Sequence, residues 1–286
     1  MKILQTLILC GVLLVQLNAN AQSSDTATLQ HTDSTKTKEV HTLTAADTTI
    51  RYRINGAYLG SMWGDLKYTV SRPAHWTGKD FTRLGIVLGT AGGLLAVDYE
   101  VKQFFLRNHT NFWNSVTGQV EPFGNAYSPY LVGGMYVAGV ISKNRQLEHT
   151  SLMTAKSLLI STLIYTFTKS VVRRGRPTYY DDPLVFNAPF SMDKYHTSFP
   201  SGHMLTVTSV ATALAEAYGE EHPWVPWVAY SIAIMTGTTR LYQERHWSSD
   251  VWLGASLGYF VTKGVFKRHR QLERKKAMAA LAATMP

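Results

Sequence analysis

The chain has 286 residues, enough for one large domain or two small ones, and 45% of them are hydrophobic. A formal net charge of +9 suits an anionic partner, either phosphate esters or an acidic membrane surface. Nucleic acid is set aside as a partner, because no nucleic-acid motif is present and the basic residues gather in one internal segment and near the C-terminus. The only cysteine, Cys10, lies in an N-terminal apolar run, so disulfides, thiol nucleophiles and cysteine-based zinc sites are excluded from everything after that run.

Residues 1–21 read as a secretory signal peptide. Lys2 supplies the positive start, residues 3–17 the apolar run, and Ala19-Asn20-Ala21 a small-residue cleavage site before Gln22. The alternative is an uncleaved anchor, while Leu9 is too bulky to precede a lipidated cysteine. Residues 22–50 are rich in Ser and Thr with few large apolar side chains, and read as a disordered linker. Residues 51–82, with Tyr58, Trp63, Tyr68 and Trp76, read as an irregular lead-in packed on the domain that follows. Residues 83–270 then show apolar runs of helical length at about 84–100, 126–142, 151–172, 203–218, 224–239 and 250–266, with little strand-like alternation. The expected fold is all-α, a bundle of about six helices. A basic tail, 271–286, closes the chain. His222 and His269 read as surface residues. Arg173, Arg174 and Arg245 read equally as exposed charge or as a widening of the positive field.

Three short segments fall at the ends of these runs. KSVVRRGRP, with Lys169, Arg176 and Pro177, ends the third run. PSGH, with Ser201, Gly202 and His203, opens the fourth. RLYQERHWSSD spans the end of the fifth, with Arg240, and the start of the sixth, with His246 and Asp250. In an up-and-down bundle all of them meet at one end. Taken singly, each has an ordinary explanation: a basic helix end, a capped turn, a structural His–Asp hydrogen bond. Together they supply what a phosphoryl group with charge on three oxygens requires, namely several fixed cations and donors. Arg176 and Arg240 can grip oxygens bidentately, and Lys169 acts as a point charge. The backbone N–H groups of Ser201 and Gly202 are placed to face an anion at a helix N-terminus. His246 and Asp250 stand one helical turn apart, so the carboxylate can hold one imidazole nitrogen and leave the other to attack.

At these residues the sequence resembles the type 2 phosphatidic acid phosphatase superfamily, whose pattern reads K-x(6)-R-P, P-S-G-H, then S-R-x(5)-H-x(3)-D. The resemblance covers roughly residues 80–266, and its one departure is Thr239, which keeps the hydroxyl of the usual serine. It implies that His246 attacks phosphorus to form a phosphohistidine. His203 would protonate the leaving oxygen and then activate water, and Lys169, Arg176, Ser201, Gly202 and Arg240 would bind the phosphate. No metal or other cofactor is required in that scheme. Candidate substrates are phosphatidic acid, phosphatidylglycerol phosphate, polyprenyl diphosphate and lipid A phosphate. A soluble broad acid phosphatase is the alternative. The related vanadium-dependent haloperoxidases and a non-catalytic phospholipid-binding protein are further readings, the last opposed by the intact His203, His246 and Asp250.

The loop 178–199 carries Tyr179, Tyr180, Phe186, Phe190 and Tyr195, which either line an apolar entrance for a lipid tail or pack as an ordinary loop. Membrane insertion is balanced. The runs are short for spanning, three carry Asp98, Lys156 and Glu216, and mean hydropathy is −0.08. A cleaved signal, six spans and an external site are mutually inconsistent. The basic stretches at 142–146 and 267–276, at the opposite end of the bundle, favour spans with an external site. The sequence leans toward an exported domain of the cell envelope associated with a membrane, with integral insertion close behind and the oligomeric state open.

Overall fold

The computed structural model describes residues 54–284; the expected signal peptide and the linker at 22–50 lie outside the described residues. Among those described there are nine α-helices and no strand, only an isolated bridge between Arg174 and Phe186. In chain order the helices are α1 (Gly56–Ser71), α2 (Gly78–Ala96), α3 (Asp98–Arg107), α4 (Asn111–Val120), α5 (Tyr127–Ser142), α6 (Arg145–Val172), α7 (Gly202–Tyr218), α8 (Trp224–Tyr242) and α9 (Ser248–Thr284), with 3-10 turns at Arg72–His75 and Glu121–Gly124. The described residues up to Glu273 form one compact unit, and Arg274 onward belongs to a second.

The bundle is built around α7, which packs against both α6 and α8. One apolar cluster joins Leu152, Met153 and Ile160 of α6 to Ala213 of α7 and Val261, Val265 and Phe266 of α9. A second joins Met204, Val207 and Ala211 of α7 to Ala229, Tyr230 and Ala233 of α8 and Ala255 and Tyr259 of α9. Burying these side chains is the main force holding the four helices together. Two glycines set the α7–α9 approach: a Cβ at Gly254 would stand 2.3 Å from the Ser201 carbonyl oxygen, and one at Gly258 2.5 Å from that of Leu205. Any side chain there would push α9 off the start of α7.

The six expected runs are all helical, but several boundaries differ from the expectation. The run at 84–100 breaks at Val97 into α2 and α3. The segment read as an irregular lead-in contains α1, a 16-residue helix capped by the Asn55 side chain, which accepts from the Tyr58 N–H. Its buried face holds Tyr58, whose hydroxyl donates to the Leu152 carbonyl at 2.7 Å. It also holds Asp65, buried against Lys156 of α6 at 2.9 Å and against Arg268 and His269 of α9 at 2.5 and 3.1 Å. His269 is therefore buried, not a surface residue, because α9 continues as helix past the expected run at 250–266 and its ring meets Asp65 of α1. Among the described residues no single helix is long and apolar enough to cross a membrane; α2 and α3 pass that test only as a pair, bent by 56°.

Candidate active site

The motif residues collect where α6 ends, α7 begins, α8 ends and α9 begins. α6 stops because Arg173 takes a left-handed conformation with φ 46°. The chain then runs back as a loop pinned by backbone hydrogen bonds: Gly175 N–H to Val185, Arg176 N–H to Tyr195 and Ser198 N–H to Arg174. This loop carries Arg176 and Ser198 to the mouth of the bundle, and Ser201 ends it by donating its N–H to the Asp250 carbonyl at 3.1 Å. That bond corrects one expectation: the Ser201 N–H is committed to α9, and the N–H groups of the first turn of α7 begin at Gly202. A Cβ at Gly202 would stand 2.8 Å from the Tyr165 hydroxyl oxygen, so any side chain there would displace Tyr165. That hydroxyl accepts from Lys169 Nζ at 2.7 Å, fixing the lysine beside the start of α7.

Lys169, Arg176, His203, Arg240 and His246 are brought together. The charges of Lys169 and Arg176, and the ring of His203, all bear on His246. Arg240 and Lys169 bear on His203. Arg176 Nε and Ser201 Oγ are buried and have no protein hydrogen-bond partner. A cluster of cations with orphaned polar atoms is what an anion site looks like when its protein groups are left to themselves. Burial, and then the Arg176 charge, pushes the Lys169 ammonium down to about 7. Burial and Arg240 push His203 down to about 4, against the opposing pull of Glu121.

His246 is buried, and its Nδ1 stands 2.6 Å from the Ser198 carbonyl oxygen. A carbonyl only accepts, so Nδ1 carries the proton and Nε2 keeps its lone pair. Burial, reinforced by the Lys169 and Arg176 charges, holds the ring well below the usual imidazole range, so it is neutral at pH 7.

Asp250 is not the group hydrogen-bonded to His246. Its carboxylate accepts from Arg174 Nη1 at 2.6 Å, from the Ser198 hydroxyl at 2.5 Å and from the Trp247 N–H at 3.2 Å. One turn of spacing placed the two side chains near each other, but the loop between motifs inserts Ser198 between them. Asp250 thus reaches the imidazole through Ser198, whose hydroxyl it holds and whose carbonyl holds the ring. Complete burial pushes the Asp250 carboxyl up, against the pull of Arg174 and Ser198.

Several residues at this site were not singled out by the sequence. Arg174 is only 3% exposed and bridges Asp250 to Asp98, with Nη2 2.9 Å from the Asp98 carboxylate. Asp98, at the α2–α3 break, also accepts from the Ser249 N–H and from the Ser248 and Ser249 hydroxyls, so it caps the start of α9. Glu121 faces His203 Nε2 at 3.3 Å and Arg240 Nη1 at 3.1 Å. The sequence signals were Arg174, read equally as exposed charge or as a widening of the positive field, and a lone Asp98 in an apolar run. Nothing local marked Glu121 or Ser198. Arg173 is buried beside Asp193, to whose carbonyl it donates, while Arg245 is exposed.

Comparison with known proteins agrees with the motifs. The chain is 42% identical over 64 residues to a lipid A 1-phosphatase of Porphyromonas gingivalis, covering 22% of this chain and 14% of that protein. It is 34% identical over 103 residues to a lipid A 1-phosphatase of Rhizobium johnstonii, covering 36% of this chain and 41% of that one. The chain therefore spans less than half the length of either relative. A crystal structure of a transmembrane PAP2 type phosphatidylglycerolphosphate phosphatase from Bacillus subtilis is 20% identical, with a TM-score of 0.47, covering 76% of this chain and 96% of that one. Residues 152–274, which hold all three motifs, match the PAP2 superfamily.

Proposed function

We propose that this protein is a phosphatase that hydrolyses lipid phosphates of the cell envelope through a phosphohistidine. The carrying observation is the meeting of a neutral, pre-oriented His246 with three cationic side chains and His203, beside buried polar atoms that have no protein partner. The Nε2 lone pair of His246 attacks phosphorus. The bond from phosphorus to the leaving oxygen breaks, its electron pair goes to that oxygen, and His203 delivers a proton. In the second step neutral His203 takes a proton from water, the oxygen bonds to phosphorus, and the N–P electron pair returns to His246. Lys169, Arg176 and Arg240 stabilise the charge on the phosphoryl oxygens throughout. Among the protein's own groups His203 is neutral at pH 7, and the negative charge of a bound phosphoryl group favours the protonated form that donation requires.

A lipid substrate is supported by the names of the relatives and by exposed apolar side chains around the mouth, Tyr179, Phe186, Phe190 and Met192. Work at a membrane surface is supported by exposed apolar residues on α5 and α8, among them Tyr130, Ile141, Trp224 and Trp227. Export rests on the N-terminal sequence alone. The test is phosphate release by the purified chain in mild detergent with a chelator, from an aryl phosphate and from long-chain lipid phosphates. Release that persists in chelator and disappears in His246→Ala supports the mechanism. Release lost with chelator, or retained in His246→Ala, sinks it.

A further inference from the structure

We propose that Glu121 sets substrate specificity, by placing a carboxylate on the leaving-group side of the site that disfavours diphosphates relative to phosphate monoesters. This rests on the phosphatase reading of the site. Glu121 Oε1 lies 3.3 Å from His203 Nε2 and 3.1 Å from Arg240 Nη1. His203 is the group that meets the leaving oxygen, so whatever departs from phosphorus departs past Glu121. The other two carboxylates of the site, Asp98 and Asp250, face Arg174 instead.

The backbone under Glu121 is fixed. The 3-10 turn Glu121–Gly124 continues directly from α4, with the Glu121 N–H donating to Thr117. Gly124 is wedged between α7 and α8: a Cβ there would stand 2.6 Å from His203 Cβ and 2.9 Å from Thr236 Cγ2. Phe123 packs on the α7–α8 apolar cluster. The turn therefore fixes where the Glu121 side chain starts, and its contacts with Arg240 and His203 hold the carboxylate toward the site. It also lies outside residues 152–274, where the family match falls, so the phosphate-binding motifs do not dictate it.

The consequence follows from charge. A monoester of an alcohol or sugar departs as a neutral group once protonated, and its hydroxyls can donate to the carboxylate. A diphosphate departs as an anionic phosphate monoester, which meets a like charge at close range. For a partly exposed carboxylate meeting a second phosphate across the site, the repulsion lowers kcat/KM for the diphosphate by about tenfold.

The test compares a prenyl diphosphate with an aryl phosphate, using the full chain in detergent. Both leaving groups depart with little need of protonation, so loss of the Glu121 pull on His203 cancels in the ratio of their kcat/KM values, and what remains is the additional negative charge that a phosphate leaving group carries over a phenolate. Glu121→Gln is expected to raise the diphosphate-to-aryl ratio about tenfold, Glu121→Ala to move it the same way, and Glu121→Asp to leave it near wild type. A ratio unchanged or lowered in Glu121→Gln and Glu121→Ala overturns the proposal while leaving the phosphatase reading intact. Absence of release from every substrate by the wild type overturns the phosphatase reading itself, and this proposal with it.

Discussion

Replacing Asp250 with Asn separates two ways in which a carboxylate can serve His246. Asp250 makes three contacts, to Arg174 at 2.6 Å, the Ser198 hydroxyl at 2.5 Å and the Trp247 N–H at 3.2 Å, and none of them is to the imidazole. Asparagine keeps one acceptor oxygen and loses the charge. Breaking a buried ion pair by removing one partner costs about 3–5 kcal/mol, and because Arg174 retains Asp98 at 2.9 Å the lower end applies. That loss corresponds to a Tm lower by about 6–12 °C. The imidazole remains on the Ser198 carbonyl at 2.6 Å, so catalysis suffers only through displacement of the loop. A shift of that kind costs about a hundredfold in kcat, against roughly ten-thousandfold where a carboxylate itself orients the histidine. Ser198→Ala is the companion variant. It removes the hydroxyl, costing about 1.5–3 kcal/mol, keeps the carbonyl, and should leave kcat within about tenfold of wild type. Thermal unfolding in detergent and steady-state phosphate release read both quantities. A ten-thousandfold loss of kcat in Asp250→Asn with Tm unchanged would refute this reasoning, because it would put the carboxylate directly on His246.

The depressed Lys169 gives a pH prediction: the ammonium is charged below about 7 and loses its proton as pH rises, so kcat/KM for an already dianionic aryl phosphate should fall through that region. Lys169→Arg should carry that limb upward by more than one pH unit, and a limb that stays near 7 in the variant assigns it to another group. Gly254→Ala should lower Tm by an amount equivalent to about 1–3 kcal/mol and reduce kcat, since its Cβ would stand 2.3 Å from the Ser201 carbonyl at the start of α7. Gly85→Ala in α2, whose Cβ would meet nothing within 4 Å, should raise Tm slightly, and equal effects at the two sites would contradict the close α7–α9 contact.

The helices of the bundle were legible because burial imposes a period on the sequence, and α5 to α8 fall close to the apolar runs that announced them. α1 was not, because its core-facing side is partly ionic: Asp65 buries itself against Lys156, Arg268 and His269 from two other helices. A carboxylate in such a segment reads as exposed unless its three partners are already in place. The same blindness made Lys156 count only against membrane spanning and made His269 look superficial. The break between α2 and α3 was missed for a related reason, since the apolar pattern runs on through Val97 while Asp98 turns inward to cap α9.

The candidate site divides in the same way. Its cations and histidines were readable because phosphoryl chemistry demands those residue types, and because each motif is short enough to lie on one helix end with its adjoining turn. The carboxylates that organise them obey no such local rule. Asp98 comes from the α2–α3 break and Glu121 from the turn after α4, both ahead of the segment that carries the motifs. Arg174 sits inside the first motif, yet its value depends on two acids, each 76 residues away, so the sequence could not choose between exposed charge and a widening of the positive field. Asp250 was found by spacing but given the wrong contact, because Ser198 enters from a loop with no pattern of its own. A phosphate-binding cluster needs positive charge near the substrate and negative charge behind it to hold that cluster in a buried place. The first requirement is written in three motifs, and the second is met by residues that become neighbours only when the bundle closes.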